Sequence, residues 1–311
     1  MLGLVLFAWF VRSVGPSEIW EGVRSVGWGY AVIIAVTGVR FALRAAALSL
    51  CFEPPLRVPF RSTFVAVLAG DAIGNLTPLG LLASEPMKAA FLRQHVPLGA
   101  ALTTVAIETL LYTLTVAAMI AATTIALLLT VDLPGQMRTA ASVAVAAIGV
   151  GFCGTAVLLW RRPAIVSRLL SAFLPADSTL QSSVAWIHDV EQQVYTFAIR
   201  RRRVLAPVLL CEVSFHALGV AEVYVTLWLI LGSAPTVLTA FILEGANRLV
   251  QVVFKPVPLR AGVDEITTGT FTQLLGYTAA LGGTLAIVRK VRTVFWVLIG
   301  TILLVRKGMF R

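Results

Sequence analysis

The chain has 311 residues, 58% of them hydrophobic and only 13% charged, and its mean hydropathy is +0.90. A soluble domain of this size cannot hide that much apolar surface, and apolar runs near ~20 residues are what a bilayer span needs, so the chain reads as an integral membrane protein. The formal net charge of +10 would suggest nucleic acid in a soluble protein. Here Lys and Arg gather beside apolar runs, so loops that set topology explain the charge and no nucleic-acid partner is expected.

Apolar runs fall at about 1–14, 28–52, 60–79, 98–130, 139–160, 204–231, 235–257, 270–288 and 293–305. The first, MLGLVLFAWFV, has no basic n-region and no small-residue cleavage site. It is read as a short or incomplete first helix, not as a signal peptide. The runs at 60–79 and 270–288 are interrupted by polar residues or glycines. The stretch GNLTPLGLLASEPMKAAFLR, residues 74–93, holds two prolines, two glycines, a glutamate and a lysine. Simple spanning helices do not look like this.

Residues 161–203 form the one long polar connection, closed by Arg200–Arg203. Basic clusters favour the cytoplasmic side, which places this connection there. Counting outward, the turns near Asp132 and Ser233 face outside, and residues 53–61 and 85–97 face inside. The C-terminal end resists the count, because Arg289–Arg292 and Arg306–Arg311 are both basic. Either residues 258–288 re-enter from one face or the first cluster sits in a polar cavity. Within the connection, Leu180, Val184, Ile187, Val194 and Phe197 recur at helical spacing, with Glu191 in step. That pattern predicts an amphipathic helix, capped by Asp177 or Ser178. Its four arginines suit an anionic leaflet or simply set topology.

Several ionisable residues lie at membrane depth, where charge is costly and usually faces a cavity. Arg40 and Arg44 are four apart and share one helix face. They repel unless an anion lies between them, and guanidinium forks match phosphate oxygens. The alternative is structural pairing with Glu85 or Glu108. Asp71, Asn75, Glu85 and Lys88 bracket the first break. Glu244, Asn247, Arg248, Lys255, Asp264 and Glu265 bracket the second. Glu108 stands alone in a long apolar run and needs a partner, a proton or water. Glu212 and His216, four apart in a further span with Glu222, are placed to form a pair.

A shift of 180 positions sets Pro78 on Pro258, Leu79 on Leu259, Glu85 on Glu265 and Phe91 on Phe271. The register holds without a gap from 78 to 113, where Thr113 meets Thr293. Pro and Glu are rare in apolar segments, so their coincidence carries the reading. Paired broken segments are a transporter signature, because irregular backbone at membrane depth must line protein or water. The three cysteines, Cys51, Cys153 and Cys211, fit neither a disulfide framework nor a zinc pattern and read as small core residues. There is no P-loop, HExxH or Gly-x-Ser-x-Gly elbow, so no enzyme and no cofactor are expected.

The order NLTPLGLLASEPMKAAFLR, LGAALTTVAIETLLY and RAGVDEITTGTFTQLLGYTAALGGTLAIVRK resembles the lysylphosphatidylglycerol synthase transmembrane, flippase-like family. Asn75, Pro78, Gly80, Glu85 and Lys88 match its first motif. Glu108 matches the acid of the second, with Thr109 where an arginine is usual. Gly262, Val263 and Glu265 match the third, and Arg289 the last. The resemblance implies a multi-pass protein of the cytoplasmic membrane that moves lipids between leaflets. It covers the membrane region alone, and the soluble aminoacyl-transferase domain that some relatives carry is not expected after Arg311.

The expectation is one all-α membrane domain over residues 1–311, with about seven or eight spans and two broken re-entrant segments. An anionic lipid or lipid-linked precursor would be bound by Arg40, Arg44, Asn75, Pro78, Gly80, Glu85, Lys88, Glu108, Asn247, Arg248, Lys255 and Glu265. Two rival readings stand beside it. One is a membrane enzyme that modifies lipid with carboxylates. The other is a non-transporting partner of an envelope-synthesis enzyme. A homo-oligomer is left open.

Overall fold

The structure is a computed structural model that describes residues 12, 16–77, 80–161, 192–193, 196–197, 200–255 and 257–306. Most of the expected amphipathic helix, and Pro78 with Leu79, lie outside these residues. Among the described residues there are ten α-helices and no strand. They are α1 (Pro16–Val26), α2 (Gly29–Cys51), α3 (Phe60–Leu76), α4 (Gly80–Leu92) and α5 (Leu98–Thr130). After these come α6 (Gly135–Arg161), α7 (Arg202–Leu231), α8 (Val237–Val253), α9 (Val263–Leu274) and α10 (Ala279–Arg306). A single 3-10 turn, Pro258–Arg260, joins α8 to α9.

Four segments are long and apolar enough to cross a membrane: Gly29–Cys51, Leu98–Thr130, Gly135–Val157 and Arg202–Leu231. The protein is therefore a multi-pass, all-helical membrane protein. Helix α10 has 28 residues but carries Arg289, Lys290 and Arg292 within it, which lowers its apolar character. Helices α4 and α9 have 13 and 12 residues. At about 1.5 Å per residue each reaches roughly 20 Å, too short to cross an apolar core of about 30 Å.

Local chemistry sets where the helices stop. Thr77 leaves α3 in an extended conformation, φ −110° and ψ 140°, as a residue before proline prefers. The first break is thus confined between Leu76 and Gly80, and Glu85 and Lys88 ride on helix α4. Helix α7 ends at Gly232, whose φ of +66° lets its N–H reach the Trp228 carbonyl at 2.9 Å. The Thr236 hydroxyl caps α8 by accepting from the Thr239 N–H at 3.1 Å. The Glu265 carboxylate caps α9 by accepting from the Gly262 N–H at 2.8 Å.

Helices α3 and α4 run side by side as a hairpin whose turn brings Gly80 onto Gly74. A Cβ at Gly80 would lie 2.2 Å from the Gly74 carbonyl oxygen, so only glycine permits this approach. Two apolar cores flank the interior. One joins α2, α3, α4, α5 and α10 through Leu48, Ala69, Leu92, Ala101 and Val297. The other joins α7, α8 and α10 through Leu227, Leu243 and Leu285. Helix α2 packs on α7, α3 on α10, and α5 on α8. Helix α6 packs on α5, and none of its apolar window is buried, as a lipid-facing helix should be. Cys153 on α6 is exposed, so it is not a core residue; Cys51 is buried and Cys211 half-buried.

Candidate functional site

A polar cavity of about 380 Å³ opens among α2, α3, α4, α5, α7, α8 and α10. Seven basic and two acidic side chains line it, with Tyr112, Phe215 and Trp296 among the aromatic walls. Arg40, Arg44, Asn75, Glu85, Lys88, Arg248 and Lys255, all expected from sequence, meet there. Arg40 is at the middle of α2, so the cavity sits near the midpoint of that span.

Helix periodicity aims these groups inward, and buried carboxylates hold them. Arg44 donates from Nε to Glu108 at 2.8 Å and from Nη2 at 2.5 Å. Its guanidinium lies 3.6 Å from the Tyr112 ring centroid, a cation–π contact. Glu108 is fully buried and also faces Lys88 at 3.9 Å. Lys88 donates to both Glu85 oxygens, at 3.1 and 2.9 Å. Thr109 donates to Glu85 at 2.7 Å. A neutral hydroxyl here completes the carboxylate's shell without adding charge.

Arg40 reaches across to α7 and α8. It donates to Glu222 at 2.9 Å and faces Glu244 at 3.5 Å. Arg248 meets the same Glu244 at 2.5 Å, and Arg289 meets it at 3.7 Å. Arg292 pairs with Glu222. Phe215 lies beneath Arg40 and Arg248, 4.5 and 5.0 Å from their guanidinium carbons. The pairs Arg40–Glu222 and Arg44–Glu108 link residues 182 and 64 positions apart. Arg289 and Arg292 thus occupy the polar interior, the second of the two alternatives that the charge count allowed.

Lys255 lines the cavity with no hydrogen bond or ion pair among the described residues. Asn75 also lines it and donates to Asp71 at 3.1 Å. Gly80 is buried at the α3–α4 crossing and does not line the cavity. Asn247 donates to Glu244 at 3.1 Å and faces a smaller cleft shared with Asp264 and Arg289. Glu265 is fully buried, pairs with Lys290 and caps α9, away from the main cavity.

The expected Glu212–His216 pair does not form. His216 Nε2 lies 3.2 Å from the Thr115 hydroxyl, and its ring stacks on Tyr112. Both Glu212 oxygens are buried with no hydrogen-bond partner among the described residues. Spacing of four residues put the two on one helix turn, but the aromatic neighbours draw the imidazole sideways. Sequence reasoning did not place Arg292, Arg260, Asp71, Tyr112 or Phe215 in the site. Arg292 left a trace, because a basic cluster inside an apolar run had no simple topological place.

The family described as lysylphosphatidylglycerol synthase TM region matches residues 1–300. The chain belongs to that family. No curated protein and no solved structure matches it. The lysylphosphatidylglycerol synthase TM region thus covers the described helices up to residue 300 of α10, and the cavity is built wholly within it.

Proposed function

We propose that the protein translocates an anionic lipid or lipid-linked precursor across the cytoplasmic membrane, with the headgroup passing through the central cavity. The observation that carries the reading is that cavity: about 380 Å³ beside the middle of α2, lined by seven basic and two acidic side chains. So many cations at membrane depth are unfavourable without anions to meet them. The acyl chains stay in lipid, and the cationic wall meets the headgroup charge.

A repeat supports the same reading. Shifted by 180, α2 overlies α7, α3 overlies α8, α4 overlies α9 and α5 overlies α10, each within a few residues at its matched ends. The packing exchanges accordingly: α3 meets α10 while α5 meets α8, and α2 meets α7. Reciprocal contacts of this kind are what a two-fold pseudo-axis produces. With residues 53–61 and 161–203 inside, α2 runs inward and α7 outward. The α3–α4 hairpin then enters from inside and α8–α9 from outside. Helix α10 returns to the cytoplasm, leaving Arg306 and Lys307 on the positive side. Counting each re-entrant pair as one membrane segment gives seven, α2, α3–α4, α5, α6, α7, α8–α9 and α10, before the N-terminal run is added.

The test is reconstitution in liposomes carrying fluorescent phosphatidylglycerol in both leaflets. An impermeant quencher added outside should bleach the inner-leaflet pool only when the protein is present. Lys255→Gln should slow that bleaching, and it leaves no ion-pair partner behind. Bleaching equal to that of empty liposomes would sink the transport reading. Covalently altered lipid after incubation would favour a lipid-modifying enzyme instead.

A further inference from the structure

The charge in the cavity is not evenly balanced. Arg44 and Lys88 stand against Glu108 and Glu85. Arg260 faces Asp264 at 3.5 Å. Lys255 and Asp71 both line the cavity without pairing. In each of these groups, cations and carboxylates match in number. One group differs. Arg40, Arg248, Arg289 and Arg292 share only Glu222 and Glu244 among the described residues.

Arginine does not give up its proton in a protein, so within ion-pair distance this cluster holds two more cations than carboxylates. It is also dry. Arg40, Arg248 and Arg289 are 5, 3 and 7% exposed, and Glu222 and Glu244 3 and 1%. Burying uncompensated charge in such a place is strongly unfavourable. The donors are unspent as well: the Nε–H groups of Arg40, Arg248 and Arg292 are buried with no acceptor among the described residues. These three arginines line the cavity, and Arg289 stands behind them on Glu244 and the Leu243 carbonyl. Excess charge and idle guanidinium donors belong to one cluster.

We propose that this four-arginine, two-glutamate cluster is a subsite for a phosphate group carrying two negative charges, a phosphomonoester in preference to a monoanionic phosphodiester. A phosphomonoester carries about −1.5 to −2 at pH 7 and offers three acceptor oxygens, whereas a diester carries −1. Only the former cancels the excess. Guanidinium forks also bind phosphate oxygens in pairs. The proposal rests on the reading that the cavity receives a lipid headgroup, and it narrows that headgroup to a lipid phosphomonoester.

The experiment uses the purified full chain in detergent at pH 8, with binding measured for dihexanoyl phosphatidate, dihexanoyl phosphatidylglycerol and inorganic phosphate. Phosphatidate should bind roughly tenfold or more tightly than phosphatidylglycerol, the scale of one added charge-assisted contact. At pH 5, below the second phosphate pKa of about 6, that preference should close. Arg292→Gln should weaken phosphatidate to the level of phosphatidylglycerol. Should that variant fail to fold, Glu222→Gln decides: it raises the excess to three and should tighten phosphatidate binding. Equal binding of the two lipids by the parent protein overturns the proposal. Inorganic phosphate binding as tightly as phosphatidate supports the dianion subsite and overturns its lipid source. Selective phosphatidate binding without movement in liposomes supports the subsite and overturns the transport reading. Unselective binding with movement of all lipids does the reverse.

Discussion

Two buried glutamates show how partnering decides a residue's role. Glu108 and Glu212 are both fully buried. Glu108 holds Arg44 at 2.5 Å and faces Lys88; Glu212 has no hydrogen bond among the described residues. Glu108→Gln leaves two buried cations short of a charge and should cost about 3–5 kcal/mol. Glu212→Met removes an idle polar group and keeps its volume, so stability should stay within about 1 kcal/mol of the parent or rise. Thermal unfolding in detergent compares them, and equal losses would refute this division. At this scale the sequence was informative about which residues matter and silent about whom they meet. Arg40, Arg44, Lys88 and Arg248 stood out because charge in apolar runs is rare. Glu222 and Glu244 stood out too, but not as partners of Arg40, which lies 182 and 204 positions away, and no local pattern carries such a pairing.

Among the elements, the α3–α4 hairpin depends on one glycine contact. Gly80→Ala places a methyl 2.2 Å from the Gly74 carbonyl, and backbone cannot yield as a side chain can. The hairpin must open, at more than about 2 kcal/mol. Gly154→Ala on α6 is the control: its Cβ meets nothing within 4 Å, and alanine favours a helix by up to about 1 kcal/mol. Unfolding midpoints should therefore move in opposite directions, and a matched loss in both would show that α6 is not lipid-facing. The break itself was legible at Thr77–Pro78, because a residue before proline leaves the helix. Its extent was not. Glycines and prolines from 74 to 86 suggested a long irregular stretch, yet α4 resumes at Gly80 and carries Pro86 on an exposed face.

Over the whole molecule, the 180-residue echo was visible from 78 to 113 because Pro and Glu are rare there. The wider reach proposed for it, α2–α5 against α7–α10, is not legible in sequence, since apolar helices match one another for trivial reasons. The proposal rests on element boundaries and reciprocal packing. If the halves are inverted, the two re-entrant hairpins open to opposite sides. That can be measured by cysteine accessibility in a background with Cys51, Cys153 and Cys211 replaced by alanine. Glu53→Cys and Gln94→Cys, both at exposed positions flanking the first hairpin, should react with an impermeant maleimide only from inside. Ser233→Cys and Gln273→Cys, exposed and flanking the second, should react from outside. Labelling of Gln273→Cys from inside while Ser233→Cys labels from outside would mean that α8–α9 crosses the membrane. Helix α10 would then end outside with Arg306 and Lys307, and the inverted arrangement would be lost.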